Sequence, residues 1–590
     1  MWKPMLPTFV EELSKDTEKW LFEVKYDGFR CGLEWTKDKI TLWSRNGHDL
    51  TPNFPEIVLW CQNNQSYINH LLPLFLDGEL VVLKTPYHSI FSLVQQRGRL
   101  QSKEKILSFS QKRPATFMVF DMLKSEGKSL QNKILAERRK YVEELFSRFG
   151  SFKGRLQIVK VYRSLRDLEQ IVFLHQAEGI VAKQRDSKYA EAKRTNKWLK
   201  WKNFRSVQGF ITSWNANNDY FQVEIMSDHP TSSLPIGKVK NGLKENEKVT
   251  LKRFFKEKGY KLNGFSWSLP PSICVDIHCL NVKKEELREP LFRQFRFDLS
   301  PEECTWEKVR IGLAQLPDEI DITKPDKNLF PSVNKRNYVL FLREVAPFLL
   351  HKLQNKRLTI IRYPDGVNES FFYQKHLPEY APSYIESVIG EDGEKDLLCN
   401  NLRSLLWFGN HGALEFHAPF QQVDSSYPDE MVFDLDPPSL NEFSLAVSAA
   451  HYIREMVESR GYQTFAKTSG KTGLQVHIPL EQSSMSFQET REFMEAVAKV
   501  LVDKFPSSFT IERLKKNRGK RLYIDYVQHA QGKTIIAPYS PRATKEATVA
   551  TPLYWEEVNE NLNPKNYTIH NISQRLTEKG CPMQQIDIAD

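Results

Sequence analysis

The chain has 590 residues, 40% hydrophobic and 26% charged, and its Lys and Arg exceed Asp and Glu by 83 to 73, a formal charge of +10. That length is too great for one hydrophobic core and calls for two to four domains of ordinary globular composition; the surplus of cations suits a polyanionic partner or simply a soluble surface. Seven scattered cysteines without a C-x-x-C pair exclude a disulfide framework or zinc ribbon, and neither a signal sequence nor a run of about 20 apolar residues is present, so a cytoplasmic protein without membrane contact is expected.

In chain order, residues 1–204 alternate short apolar runs with polar turns ("LFEVKY", "FRCGLEW", "KITLWSR", "DGELVVL", "TFMVFDML", "EGIVAK", "KWLKWK"), a pattern of strands. Tyr141, Leu145 and Phe149 in "AERRKYVEELFSRF" repeat at helical spacing, which makes this an α+β domain. Residues 205–308, with short strands, frequent turns and the basic stretch "KVTLKRFFKEKGYK", read as a small β-barrel. Prolines, acids and no periodicity place a linker at 309–322. Over 323–590, amphipathic helices ("FSLAVSAAHYIREMVESRG", "FQETREFMEAVAKVLVDKF") alternate with strands ("MVFDLD", "LQVHIPL").

Lys25 interrupts the apolar run Phe22, Val24, Tyr26. A lysine there either guards a sheet edge or is a desolvated amine whose lowered pKa leaves a lone pair for attack. Glu23, Lys25, Asp27, Gly28 and Arg30 together resemble the K-x-D-G motif of ATP-dependent DNA ligases. Further motifs of that family follow in order: "SRNG" with Arg45, "DGEL" with Glu79, "FDML" with Phe120 and Asp121, "EGIVAK" with Glu178 and Lys183, and "KWLKWK" with Lys200 and Lys202. The resemblance implies that Lys25 becomes a lysyl-AMP, that Arg45 meets a DNA phosphate, that Phe120 stacks on adenine, that Glu178 is the metal-side carboxylate, and that Glu23, Arg30, Glu79, Lys183, Lys200 and Lys202 bind ATP or AMP. "LREPLFRQFRFD" is similar to the family's last motif and adds Arg288 and Arg296 to that set; Leu299 stands where many members carry lysine. An OB-fold is implied for the barrel.

In the second half Asp434 and Asp436, two apart on a strand, share one face. Two acids so close favour a divalent cation between them, although a solvated strand end is the plainer account. "TSGKTGLQVHIPL" is no Walker A loop, because Phe465 stands where glycine is required and no helix follows. With Asp525 in "GKRLYIDYVQHA", the order of these segments resembles the archaeo-eukaryotic primases. "NHGALEFHAPF" and "APYSPRATKEATVATPLYWEE" are more similar still to the polymerase domain of the bacterial LigD family. That likeness implies two metals on Asp434, Asp436 and Asp525, a triphosphate gripped by Ser469, Lys471, His477 and Arg521, and Lys327 in "ITKPDKNLFP" near a downstream 5′-phosphate.

The resemblances together imply a multidomain α+β chain of the Bacillus-type LigD family: an ATP-grasp-like nucleotidyltransferase domain, an OB-fold barrel and a primase-like polymerase domain. They imply DNA-end repair by non-homologous end joining with ATP, Mg²⁺ or Mn²⁺ and NTPs or dNTPs, on double-stranded DNA ends and nicks, with Ku as partner at the nucleoid. An RNA ligase or capping-type transferase, and a DNA-end scaffold with weak catalysis, are the competing readings.

Overall fold

The protein, a computed structural model, is described over residues 2–16, 18–150, 154–227 and 232–586. β1 (Trp20–Lys25) buries Trp20, Phe22 and Val24 on one side and turns Glu23 and Lys25 to the other. The chain reverses into β2 (Phe29–Trp35), which pairs antiparallel with β3 (Leu74–Val81), itself paired with β4 (Thr116–Ser125). A Cβ on Gly28 would lie 2.3 Å from the Leu80 carbonyl oxygen, so glycine alone lets this corner approach β3. α1 (Leu135–Ser147) covers β4, and its Arg138 grips Asp121 through Nε and Nη2 at 2.8 and 2.7 Å with both side chains fully buried. α2 (Leu165–His175) leads into β5 (Gly179–Gln184), which lies between β1 and β6 (Arg194–Lys202).

The barrel begins at β7 (Arg205–Asn215) and continues through β8 (Tyr220–Met226) and β9 (Ser233–Val239). The basic stretch expected among its strands is instead a helix, α3 (Glu245–Lys258). Leu251 and Phe255, four apart, are its buried anchors, and Lys248 and Lys252 close on Asp219 at 2.8 and 2.7 Å. β10 (Ser266–Cys279) follows, then the hairpin of β11 (Asn281–Lys283) and β12 (Glu286–Arg288), then β13 (Leu291–Phe295) on β10. Sheet order is β9-β8-β7-β10. Leu299 packs on the barrel core.

The stretch expected as linker opens inside a helix, α4 (Trp306–Ala314), capped by the Thr305 hydroxyl; residues 315–327 then carry no helix or strand. The apolar residues of α4 are too few to show a period, and Gly312 lets it sit directly on β7, where a Cβ would meet the Ser206 carbonyl at 2.2 Å.

α5 (Lys335–Leu353) starts the last region and packs its apolar side into a core with β14 (Thr359–Arg362) and β15 (Ala413–Pro419). β16 (Glu430–Asp436) is covered on its Met431, Phe433, Leu435 side by the two expected helices, α6 (Phe443–Glu458) and α7 (Phe487–Lys504). β17 (Phe465–Thr468), β18 (Leu474–Pro479) and β19 (Leu522–Asp525) form the middle of that six-stranded sheet in the order β19-β16-β18-β17, while β20 (Thr534–Ile536) pairs with β15 in the other. Among the described residues no helix is long and apolar enough to cross a membrane.

His88 and His175 meet beside α2: the His88 Nδ1 is 3.0 Å from the His175 carbonyl, and the His175 Nδ1 is 3.0 Å from the Thr85 hydroxyl. Burial pulls both imidazoles down to about 3. Below the ordinary histidine value near 6.5 the unfolded chain takes up protons that the folded chain refuses. Stability therefore falls as pH drops from about 6.5 toward 3, and these groups have no effect above that window. Replacing both by Asn should flatten the decline in thermal midpoint between about pH 6.5 and 4.5; an unaltered slope contradicts the account.

Candidate active sites in the two halves of the chain

Strand register assembles the first site. Lys25 stands opposite Gly179 and Gly179 opposite Lys202, while Glu23, Val181 and Lys200 form the next row and Leu21, Lys183 and Trp198 the third. Directly opposed residues share a face, so one side of the sheet presents Lys25, Glu23, Lys183, Trp198, Lys200 and Lys202. Across from it, Arg30 pairs with Glu79 between β2 and β3. The space between is a cavity of about 190 Å³ lined by Lys25, Glu23, Arg30, Glu79, Phe120, Lys183, Trp198 and Lys200, with Arg45 at its rim on an exposed turn.

Lys25, Lys183 and Arg30 each have an acidic partner. Lys25 Nζ donates to Glu178 Oε2 at 2.6 Å, and Lys183 Nζ to Glu23 Oε2 at 2.6 Å. Arg30 donates through Nε and Nη2 to both oxygens of Asp77 at 2.7 Å, and Asp77 also accepts from the Tyr189 hydroxyl at 2.7 Å. The expectation of a lowered Lys25 pKa fails. Burial pulls it down, but Glu178, Glu79 and Asp27 outweigh burial and hold it above the ordinary value. Lys183 is the lysine that burial lowers, and Lys200 is lowered as well. Burial pushes Glu79 up to about 8. The Phe120 ring is less free than a bare stacking surface: Arg30 Cζ lies 4.4 Å and Lys183 Nζ 4.1 Å from its centroid, with Trp198 edge-on at 6.4 Å.

The barrel reaches back over this cleft. Arg288, at the end of β12, pairs with Asp27 through both terminal nitrogens, Nη2 at 2.8 Å, and Lys202 pairs with the neighbouring Glu289. Arg296 is not brought in: it is held by Asp298 at 2.6 and 2.8 Å and Asp276 at 3.1 Å on the barrel. β13 ends before it, and a carboxylate two residues away captures it. Sequence reading missed Asp77, Trp198 and Glu289. Asp77 lies inside the quoted "DGEL", and Trp198 shares the parity of Lys200 and Lys202, so both carried a signal; the reach of Glu289 did not.

The second site lies between the two sheets of the last region. Asp434 is opposite Asp525 on one side and Gln475 on the other, Asp436 is two residues along, and His477 is opposite Val432. All therefore face the same gap. Burial and then Asp436 push Asp434 up to about 7, and burial and Asp525 raise Asp436. Such mutual repulsion is what divalent cations relieve, so the donor set fits them. It is a spread set: among the described residues the three His, Asp or Glu groups whose donor atoms all lie within 4.8 Å are His376, Asp392 and Asp396, on an outlying hairpin where Arg357 already pairs with Asp396 at 2.7 Å. Two-metal sites hold ions about 3.5–4 Å apart and spread their ligands accordingly.

Around the aspartates, Lys467 is fully buried, donates to the Ile536 carbonyl at 3.1 Å and to Gln475, and is lowered by burial to about 7. His477 Nδ1 is 2.9 Å from Glu430 Oε2, and its buried Nε2 has no hydrogen-bond partner. Ser469 ties the turn between β17 and β18, accepting from the Gly473 amide at 2.9 Å. Lys471 and Arg542 both lie 3.3 Å from the buried Glu415, whose carboxyl is held down to about 2, against burial, by His417, Arg542 and Lys471. Arg521 does not face the site. Its guanidinium donates to the Arg518 and Asn517 carbonyls at 3.0 and 2.8 Å, because the short helix Lys515–Arg518 turns back beneath it, and Arg518 and Lys515 are the cations that act on Asp436. Lys327 pairs with Asp365 on a loop outside this group.

A strand lysine in a cation-lined cleft with a barrel leaning over it is the architecture of a DNA ligase-type nucleotidyltransferase, and the aspartate-bearing double sheet is that of a primase-type polymerase. Residues 4–202 match the ATP-dependent DNA ligase domain and residues 334–583 the LigD primase-polymerase domain. The chain is 37% identical over 573 residues to the bifunctional non-homologous end joining protein LigD of Bacillus subtilis strain 168, covering 96% of this chain and 93% of that one. It is 24% identical to the multifunctional LigD of Pseudomonas aeruginosa, over 98% of this chain and 71% of that one. The solved polymerase domain of Mycobacterium tuberculosis ligase D in complex with DNA aligns at 26% identity and a TM-score of 0.43, covering 46% of this chain and 99% of that one. The chain belongs to the LigD family of non-homologous end joining proteins and joins an ATP-dependent DNA ligase to a primase-type polymerase.

Arg30 is aimed by two charged hydrogen bonds, each worth about 1.5–3 kcal/mol. On the expectation that Arg30 binds ATP, Asp77→Asn should weaken ATP capture in self-adenylylation by about tenfold or more, measured as KM for ATP; an unchanged KM contradicts that expectation.

Proposed function

We propose that Lys25 is the nucleophile of the ligase and that the chain carries a second, independent site for nucleotide addition. Lys25 Nζ attacks the α-phosphorus of ATP, the bond to pyrophosphate breaks, and a lysyl-AMP forms. AMP then passes to a 5′-phosphate at a nick, and the 3′-hydroxyl displaces it to seal the strand. Glu178 would hold a divalent cation, whose charge would offset the carboxylate that stabilises the Lys25 ammonium and so favour the neutral amine. Arg30, Lys183, Lys200 and Lys202 spread the charge of the transferring phosphoryl group, Phe120 and Trp198 flank the base, and Arg288 and Arg45 serve the phosphates at the mouth. The observation that supports this reading best is the single cavity in which Lys25, Glu79, Arg30, Lys183 and Lys200 converge.

In the second site Asp434, Asp436 and Asp525 would hold two divalent cations, Mg²⁺ or Mn²⁺, which activate a primer 3′-hydroxyl and neutralise the departing pyrophosphate. Ser469, Lys471 and His477 receive the triphosphate of an NTP or dNTP, with Lys327 on the downstream strand. We assign 1–204 to adenylylation, 205–308 to the barrel, 309–322 to the connection and 323–590 to the polymerase. The substrates are broken and nicked double-stranded DNA ends at the nucleoid, with Ku as the end-binding partner.

Labelled ATP tests both sites. The wild type should acquire AMP, and Lys25→Ala should not. Asp434→Ala should label normally and lose primer extension. Retention of both activities by both variants would refute the assignment.

A further inference from the structure

The three domains meet at one corner. Arg343, on α5 of the polymerase, is 1% exposed, and its guanidinium donates to the carbonyls of Phe173 at 2.6 Å, Leu174 at 3.0 Å and Gln315 at 3.3 Å. Two of these carbonyls belong to the last turn of α2 in the adenylylation domain. A helix leaves such carbonyls short of main-chain donors and partly negative there, Phe173 accepting only a 3.3 Å bond from the Gln176 main-chain amide, and a cation that binds them fixes the end. The next residue after α2 is Gln176, at a left-handed φ of 53°. Its side-chain amide donates to the Leu313 and Ala314 carbonyls at the end of α4, both at 3.1 Å, and its own carbonyl accepts from Arg205 at 3.0 Å. Asn203 closes the corner: its Nδ2 donates to the Ala177 carbonyl at 3.1 Å and its amide to the Glu178 carbonyl at 2.9 Å. Glu178 is the residue whose carboxylate sits on Lys25.

We propose that Arg343 is a positioning residue for the ligase reaction: by capping α2 from the polymerase side it holds residues 174–178 so that Glu178 is presented to Lys25. The inference rests on the reading of Glu178 given above. It predicts that the polymerase domain is a structural part of the ligase site as well as a second enzyme on the same chain. A second bridge between the same domains, Lys84 to Glu344 at 3.2 Å, is partly exposed and touches no carbonyl of the corner, so it separates loss of an interface contact from loss of the cap.

The test uses full-length protein carrying Arg343→Met, Arg343→Lys, Lys84→Met or Glu178→Gln. The readouts are hydrogen exchange of the amides at 174–180, self-adenylylation over a Mg²⁺ series, and primer extension as a check on folding. Arg343→Met, which loses all three bonds to the corner, should speed exchange at 174–180 and raise the Mg²⁺ needed for half-maximal adenylylation by about tenfold or more. Arg343→Lys should fall between it and wild type, and Lys84→Met should match wild type. If Glu178→Gln shifts the Mg²⁺ requirement while Arg343→Met leaves both exchange and requirement unchanged, the proposal is overturned and the role of Glu178 stands. If Glu178→Gln shifts nothing, that role fails and the proposal with it. Should Arg343→Met also abolish primer extension, Arg343→Lys decides: exchange and Mg²⁺ dependence equal to wild type overturn the proposal.

Discussion

A buried charge must be matched, and the ligase half is organised around that requirement. Lys25 is met by Glu178, Lys183 by Glu23, Arg30 by Asp77, Arg138 by Asp121 and Arg288 by Asp27. Removing one partner from a buried pair typically costs about 3–5 kcal/mol, because the remaining charge is left in a medium that cannot solvate it. The pairs therefore fix where each cation points before any phosphate arrives, which is the condition for electrostatic catalysis. They also sort the lysines: the acids around Lys25 hold its proton, while Lys183, against Phe120 and Trp198, is lowered by burial. Position, rather than a standing low pKa, distinguishes the proposed nucleophile.

Much of this was readable in the amino-acid order because it is local. Strand parity alone puts Glu23 with Lys25, and Lys200 with Lys202, and the period-two runs and two long amphipathic helices of the polymerase declared themselves. What failed was long-range or masked by composition. α3 read as basic barrel material because its charges outnumber its two buried anchors, Leu251 and Phe255. The sign of the Lys25 shift depends on Glu178, 153 residues away, and no spacing rule reports that contact. Arg296 and Arg521 are cations inside the resembled motifs, yet a neighbouring carboxylate captures one and backbone carbonyls capture the other. Arg518, three residues before Arg521, lies in the same basic cluster, and only the folded chain shows that it, stacked on Tyr523, is the one whose charge acts on Asp436.

The two halves solve opposite electrostatic problems. The ligase cleft gathers cations around a site for a triphosphate and neutralises them with acids. The polymerase gap gathers acids and leaves Asp434 raised to about 7, a strain relieved by divalent cations. Joining the two on one chain raises the local concentration of each product at the other site, and the corner at Arg343 ties them more closely than a flexible linker does.

The bond to phosphorus is expected on Lys25 and not on Lys183, the lysine whose ammonium burial makes easier to deprotonate. Incubating the wild-type protein with ATP and Mg²⁺, digesting it, and locating the AMP adduct by tandem mass spectrometry addresses this directly. The account predicts the adduct on the peptide containing Lys25; an adduct on Lys183 or Lys200, or none at all, would contradict it.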